Sequence, residues 1–370
     1  MKEGWEYKKL GEVAEVIHGK NQKDVLSEDG QYPIYGSGGN IMGYANDYLC
    51  EAGTTILGRK GSINNPQFIE ERFWNVDTAF GISAKVGYDS KFIYYFITSI
   101  NWLEKNTGTT LPSLTQQVVK SVELPIPPLS EQQSIVDYLD LAYAKIDAMK
   151  ANAEKRLNEA QALFQASLTK MLEPKEGWEE KRIDEVCSIA RGGSPRPIKD
   201  FITNSPEGLN WIKIGDTDMG GKYIYSTKEK IKPEGLKKSR WVEVDEFLLS
   251  NSMSFGRPYI LKTNGCIHDG WLVLRDYQKY LNIDFFYYVL SSENVQRQFR
   301  IKAQGSTVSN LNTDRVASVI IYVPTFERQQ SIVETLDSLK SKVDRLQANY
   351  EKISQECDAL KQAILRQVFE

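Results

Sequence analysis

The chain has only two histidines, His18 and His268, and four cysteines, Cys50, Cys187, Cys266 and Cys357, with no Cys-x-x-Cys pair among them. Neither a zinc site of clustered thiolates or imidazoles nor a disulfide framework is indicated, and little material remains for a Ser-His-Asp or Cys-His dyad. Phosphate-cradling loops are missing as well. Gly19-Lys20 and Gly221-Lys222 lack both the upstream glycine and the following Ser or Thr of a nucleotide-binding loop. Asn65-Pro66-Gln67-Phe68 approaches the Asn-Pro-Pro-Phe/Tyr loop of amino-methyltransferases, but Gln67 replaces the second proline and no glycine-rich loop for S-adenosylmethionine precedes it, so a turn is the simpler reading. No run approaches the ~18 apolar residues of a membrane span, and the opening MKEGWEYKKLGE lacks a signal peptide's apolar core. The expectation is a cytoplasmic protein with no membrane partner, no metal, no cofactor and no catalytic residues of its own.

At 370 residues, with 41% hydrophobic and 26% charged residues, the chain is long enough for two globular cores. It is also written twice. Lys2-Glu3-Gly4-Trp5-Glu6 returns as Lys175-Glu176-Gly177-Trp178-Glu179, PIPPLSEQQSIV from Pro125 returns as YVPTFERQQSIV from Tyr322, and Lys145-Ile146-Asp147 returns as Lys342-Val343-Asp344. The offset grows from 173 to 197 residues, so the second copy carries about two dozen extra residues between the matched ends. A period this long means a duplicated domain rather than a solenoid. Trp5 and Trp178, in the repeated opening, read as core anchors.

In each copy a segment rich in Gly, Tyr and Trp ends in prolines, and a long helical pattern follows. The boundaries read as a globular segment 1–128, a helix 129–173, a globular segment 174–325 and a helix 326–370. In the second helix Ile332, Leu336, Leu339, Val343, Leu346 and Leu360 belong to an a/d seam sustained over four heptads. In the first, Ile135, Leu139, Ile146, Met149, Leu157 and Phe164 trace a similar seam that slips twice from strict heptads. About 43 residues at 1.5 Å rise give ~65 Å, against ~40 Å for a domain of about 150 residues, so each helix overhangs its own domain and needs the other as partner. Antiparallel pairing is the arrangement the connections allow most cheaply. The expected fold is α+β: two mixed α/β domains separated by two long helices paired as an antiparallel coiled coil, with pseudo-two-fold symmetry. Two similar domains at a fixed spacing suit two half-sites on a duplex.

Net charge does not favour unaided DNA binding. The four segments carry −3, −2, +3 and −1, and the total is −3. Phosphate neutralisation supplies much of a DNA binder's affinity, so basic surface must be local or supplied by a partner. Local candidates in the first domain are Ser37 and Asn40 in a glycine loop, and Arg59, Lys60, Ser62, Asn64 and Asn65 in the stretch Gly58 to Asn65. In the second domain they are Arg191, Ser194 and Arg196, the dense basic run with Lys237, Lys238 and Arg240, and Ser252, Ser254 and Arg257 in Ser250 to Arg257. His268, beside Asp269, reads as a satisfied, partly buried group.

These residues resemble the specificity subunit of type I restriction-modification systems over essentially the whole length. The resemblance is carried by Gly4-Trp5 with Leu10-Gly11-Glu12-Val13, by Tyr32-Pro33-Ile34-Tyr35-Gly36-Ser37-Gly38-Gly39, by Gly58-Arg59-Lys60-Gly61-Ser62, by Phe73 to Phe80, and by Leu124 to Gln132 at the start of the first helix. Gly192-Gly193-Ser194-Pro195, Trp211 to Asp216 and Gly305-Ser306-Thr307-Val308 continue it in the second copy, while Arg328 stands where the first copy has Glu131. It implies two target-recognition domains, each reading one half of a bipartite site in double-stranded DNA. It further implies docking of two methyltransferase (modification) subunits and a restriction translocase subunit, which hold the chemistry. A coiled-coil scaffold with protein- or glycan-binding heads is the competing reading.

Overall fold

The computed structural model describes residues 4–217, 221–251, 255–303 and 311–369. The chain divides into two compact units, Met1–Lys155 with Asn349–Glu370, and Arg156–Ala348. Each contains one globular head and a portion of both long helices, which span Leu129–Met171 and Phe326–Phe369.

Both heads open in the same way. The strand Glu6–Lys9 pairs antiparallel with Glu123–Ile126, the strand that leads into the first long helix. Its counterpart Glu179–Arg182 pairs with Ile320–Val323 ahead of the second. A single helical turn follows each opening strand, and its first amide is capped from three residues on: Lys9 N–H donates to the Glu12 carboxylate at 2.7 Å, and Arg182 N–H to that of Glu185 at 2.6 Å.

Beyond this the first head holds a four-stranded antiparallel sheet in the order Ala14–His18, Ala79–Ala84, Thr54–Gly58, Gln67–Ile69, and a three-stranded sheet in the order Ile41–Ala45, Tyr32–Tyr35, Trp74–Asn75. The second head repeats the first of these in Ser188–Arg191, Trp271–Arg275, Phe247–Ser250 and Pro258–Leu261, and adds Tyr223–Ile224. In the smaller sheet, Tyr32–Tyr35 runs parallel to Trp74–Asn75, as Leu209–Ile212 does to Gly265–Ile267. Two glycines hold the sheets together where the chain passes between them. A Cβ on Gly19 would lie 1.9 Å from the Val76 carbonyl oxygen, and one on Gly192 would lie 2.2 Å from that of His268.

A short helix of each head packs on the long helices through duplicated contacts. Tyr95, in Ser90–Ser99, donates its hydroxyl to Asp140 at 2.5 Å, and Tyr288, in Ile283–Ser291, donates to Asp337 at 2.5 Å. The buried Gln132 accepts from Asp89 N–H at 2.9 Å and donates to the Pro127 carbonyl at 2.9 Å. Gln329 accepts from Asn282 N–H at 2.7 Å and donates to the carbonyls of Pro324 at 3.0 Å and Tyr280 at 2.9 Å. The local break in the repeat has a side-chain explanation. Trp5 donates its indole N–H to Glu131 at 3.0 Å, whereas Trp178, opposite Arg328 in the repeat, packs at an angle against the Phe285 ring.

Within the first unit the helices pair antiparallel: Tyr143 donates to the Lys361 carbonyl at 3.2 Å, Lys361 pairs with Asp147 at 2.6 Å, and Lys150 pairs with Asp358 at 3.4 Å. Phe369 then inserts its ring against Phe92 and Phe96, with centroids 5.4 and 5.5 Å away. In the second unit Leu157 is buried, and Phe164 and Leu168 join Ile332, Leu336 and Val343 in the head's core, with Leu339 half-buried beside them. Leu139 and Ile146 are buried in the first unit, and Leu346 is half-buried.

The seam expected from spacing needs correction at two positions. Met149 is 59% exposed and Leu360 47% exposed, while Ile135, half-buried like Leu339 and Leu346, packs against the core of the first unit beside the buried Val136. The inner face instead runs through Val136, Leu139, Tyr143, Ile146 and Lys150 on one helix, and through Cys357, Lys361 and Leu365 on the other. A straight helix drifts ~20° per heptad against a strict seven-residue repeat. Leu360 lies four heptads after Ile332, so the accumulated ~80° moves the inner position on by almost one residue, to Lys361. An apolar-only reading also passes over Lys150 and Lys361, whose ammonium groups meet Asp358 and Asp147 and whose stems pack inward.

Candidate nucleic-acid interface

In the first head, the loop after Thr54–Gly58 is fixed at both ends. Arg59 N–H and Lys60 N–H both donate to the Thr78 carbonyl, at 2.8 and 3.1 Å, and Leu114 N–H donates to the Arg59 carbonyl at 2.9 Å. Gly58 is needed because a Cβ there would lie 2.1 Å from the Ser62 carbonyl oxygen. The Arg59 guanidinium donates through Nη1 to the Asp77 carbonyl at 2.7 Å. The Ser37 to Asn40 loop comes alongside, with the Asn65 amide reaching the Gly38 carbonyl at 3.5 Å. Ser37, Asn40, Arg59, Lys60, Ser62 and Asn65 are thereby gathered on one surface. Asn64 is exposed on the same stretch, with its side-chain oxygen accepting from Trp102 N–H at 2.7 Å.

The second head assembles its surface around Asp269. Ser194 donates to its carboxylate at 2.6 Å and Arg196 pairs with it at 3.5 Å, while its main-chain carbonyl accepts from Arg191 Nε at 3.1 Å and Asn251 Nδ2 at 2.8 Å. Arg240 Nε donates to the Arg191 carbonyl at 2.6 Å. The turn ending in Lys237 and Lys238 abuts Gly193, where a Cβ would lie 2.7 Å from the Lys238 carbonyl oxygen. Arg257 is tied to this group through its main chain, its amide donating to Ser250 Oγ at 3.1 Å and its carbonyl accepting from Ser250 N–H at 3.1 Å. Ser252 and Ser254 lie outside the described residues, as does the Gly305 to Val308 motif.

Superposing the hydrogen-bond registers makes the two surfaces equivalent. Arg59 N–H donates to Thr78 O and Asn251 N–H to Gly270 O; Leu114 N–H donates to Arg59 O and Leu311 N–H to Asn251 O. Gly19 N–H donates to Ala79 O and Gly192 N–H to Trp271 O. Asp77 therefore corresponds to Asp269 and Arg59 to Asn251, each at an offset of 192. The sequence reading included Asn251 only within the stretch Ser250 to Arg257, and it did not single out Asp77, Asp269 or the loop 106–113, where Gly61 N–H donates to the Pro112 carbonyl at 2.9 Å. The available signal was alignment at offset 197, which sets Gly108-Thr109-Thr110 against Gly305-Ser306-Thr307.

Among the described residues the surface is polar and basic. The hydrogen bond from Ser194 holds the Asp269 carboxyl below the usual carboxylate range, so it stays ionised. Burial pushes His268 below its ordinary value, and Gly270 N–H donates to its Nδ1 at 2.6 Å, which matches the satisfied, partly buried group expected there. All four cysteines are buried, and burial pushes the thiols of Cys50 and Cys187 up to about 12 and that of Cys266 to about 11. Among the described residues no helix is long and apolar enough to cross a membrane, and no group of His, Cys, Asp and Glu is placed to hold a metal ion.

Residues 2–159 and 175–355 match the family model described as the type I restriction modification DNA specificity domain, once for each copy of the repeat. The chain is 25% identical over 354 residues to a putative type I restriction enzyme specificity subunit of Haemophilus influenzae, covering 91% of this chain and 88% of that one. It is 22% identical to the EcoBI specificity subunit of Escherichia coli, over 85% of this chain and 72% of the relative. Among solved structures, the HsdS subunit from Thermoanaerobacter tengcongensis shares the fold at a TM-score of 0.58 and 18% identity, over 100% of this chain and 97% of that one. A chain from work on complex assembly and conformational transition of the type I R-M system shares it at 0.78 and 19% identity, over 99% and 97%. With both halves matched in the order in which the fold repeats them, the chain belongs to the type I restriction-modification DNA specificity family, as a specificity subunit with two copies of the domain.

Proposed function

We propose that the two loop surfaces face double-stranded DNA, each reading one half of a bipartite target, and that residues 1–128 and 174–325 are the two target-recognition domains, with 129–173 and 326–370 as spacer helices. The observation that carries this reading is the equivalence of the two surfaces in backbone and their difference in side chains: Arg59 stands where the second head has Asn251. One scaffold that sets different side chains at equivalent backbone positions presents two different surfaces to the two half-sites.

The chain is not an enzyme in this reading. Two modification methyltransferase subunits and a restriction translocase supply the chemistry in the cytoplasm, and the net charge of −3 makes them necessary for tight binding as well. Methylation-aware sequencing of host DNA identifies the target. Exchanging residues 1–120 for those of another family member then changes one half of the methylated motif and leaves the other half intact. A change in both halves, or in neither, overturns the reading of independent heads. Nanomolar sequence-selective binding by the lone chain at physiological salt would overturn the need for partners.

A further inference from the structure

Each head holds one arginine against the main-chain carbonyl of the same structural position, but the arginine arrives from a different strand. In the first head Arg59, just after Thr54–Gly58, donates Nη1 to the Asp77 carbonyl at 2.7 Å. In the second head the place of Arg59 is taken by Asn251, which is buried and uses its amide on the Asp269 carbonyl at 2.8 Å, so it presents no donor outward. The arginine on that carbonyl is Arg191, at the end of Ser188–Arg191, whose Nε lies 3.1 Å from it. Arg191 corresponds at offset 173 to His18, which in the first head turns Nδ1 to the Gly19 carbonyl at 3.1 Å.

We infer that Arg59 and Arg191 each read a guanine in the major groove, one in each half-site. This rests on the DNA-facing assignment above and adds residue and base to it. Base readout needs a rigid planar fork, whereas phosphate binding does not. Anchoring Nη1 of Arg59 leaves its Nε/Nη2 edge without a partner among the described residues. Anchoring Nε of Arg191 leaves its Nη1/Nη2 edge in the same condition. Either edge presents two parallel N–H groups, the pattern that meets guanine O6 and N7 together. The main chain of each arginine is fixed too: that of Arg59 by Thr78 and Leu114, that of Arg191 by pairing with Leu272 and by Arg240 on its carbonyl. Arg196 is exposed like Arg191 but has no main-chain anchor among the described residues, reaching only the Asp269 carboxylate at 3.5 Å, and Lys237 and Lys238 are exposed cations without a fork. Those suit phosphate.

The test uses the full chain in complex with its host's modification subunits, selecting from a duplex library with randomised positions at several salt concentrations. Lysine keeps the charge and loses the fork, so R59K separates the two roles. R59K and R59Q are expected to lower discrimination about 5- to 150-fold at one G·C pair of one half-site, leaving the other half-site unchanged. R191K and R191Q are expected to do the same at one G·C pair of the other half-site. A uniform loss over all sequences in the glutamine variants, restored by lysine, would make these arginines phosphate contacts and overturn the inference while leaving DNA recognition standing. A base change with R240Q but not with R191Q would overturn the assignment of Arg191. A wild-type complex that enriches no sequence would remove the proposed function together with the inference.

Discussion

Gln329 is fully buried where the second head meets its long helix, and its side chain serves one amide and two carbonyls of the head. Replacing it by leucine keeps the volume and removes all three hydrogen bonds. Leaving Asn282 N–H unsatisfied costs about 2 kcal/mol, and the two carbonyls add about 1 kcal/mol each. Burial of the added apolar surface returns about 1–2 kcal/mol, so Gln329→Leu should destabilise by about 2–3 kcal/mol. Gln132→Leu strands one group fewer, Asp89 N–H and Pro127 C=O, and should cost about 1–2 kcal/mol. For a unit of this size the Gln329 change corresponds to a Tm lower by about 4–12 °C. The motif supplies its own controls, since Gln133 and Gln330, the next residues, are exposed. Gln133→Leu and Gln330→Leu should stay within about 0.5 kcal/mol of the parent protein. Urea denaturation of the four variants decides the matter. If Gln329→Leu fell within 0.5 kcal/mol of the parent, or matched Gln330→Leu, the buried bridge would not be what joins head to helix.

Gly19→Ala and Gly192→Ala each drive a methyl group into a carbonyl of the adjoining strand segment, and each should disturb recognition of its own half-site only, read by binding to duplexes altered in one half at a time. All four thiols should resist a thiol-reactive dye in the native state and react together after denaturation; rapid modification of any one before unfolding contradicts its burial. His268 has a folded pKa depressed by burial, so the unfolded chain takes up the proton first. Its contribution to stability is complete above about pH 6.5 and declines as pH falls below that value. The denaturation midpoint should therefore drop between pH 7.5 and 5.5 by less in His268→Gln than in the parent, and equal drops would refute the linkage.

The duplication, the proline punctuation and both long helices are legible in the sequence because each is a local pattern or a literal repeat. The inner face of the helices was displaced at Met149 and Leu360, because a heptad count assumes a fixed period and an apolar count ignores Lys150 and Lys361. The loops rich in glycine and cations were visible, but their centre was not. Asp77 and Asp269 reach it through a parallel strand pairing between distant segments, Ile34 with Trp74 and Trp211 with Cys266, which no spacing announces. The exchange of Arg59 for Arg191 was hidden for the same reason. Alignment by offset pairs Arg191 with His18, whereas space pairs its guanidinium with that of Arg59 through the two aspartate carbonyls.

The seat of Phe369 between Phe92 and Phe96 sets an order of events during translation. Every residue of the second unit, Arg156–Ala348, is synthesised before the first residue of the segment Asn349–Phe369. The first unit, although begun earlier, waits for Asn349–Phe369 to cover its aromatic face and to present Cys357 and Lys361 to Ile146 and Asp147. The first head is thus begun before the second and completed after it, and a chain stopped short of the final turns of the second long helix would leave the Phe92 and Phe96 face uncovered, far along the chain from the loops of that head.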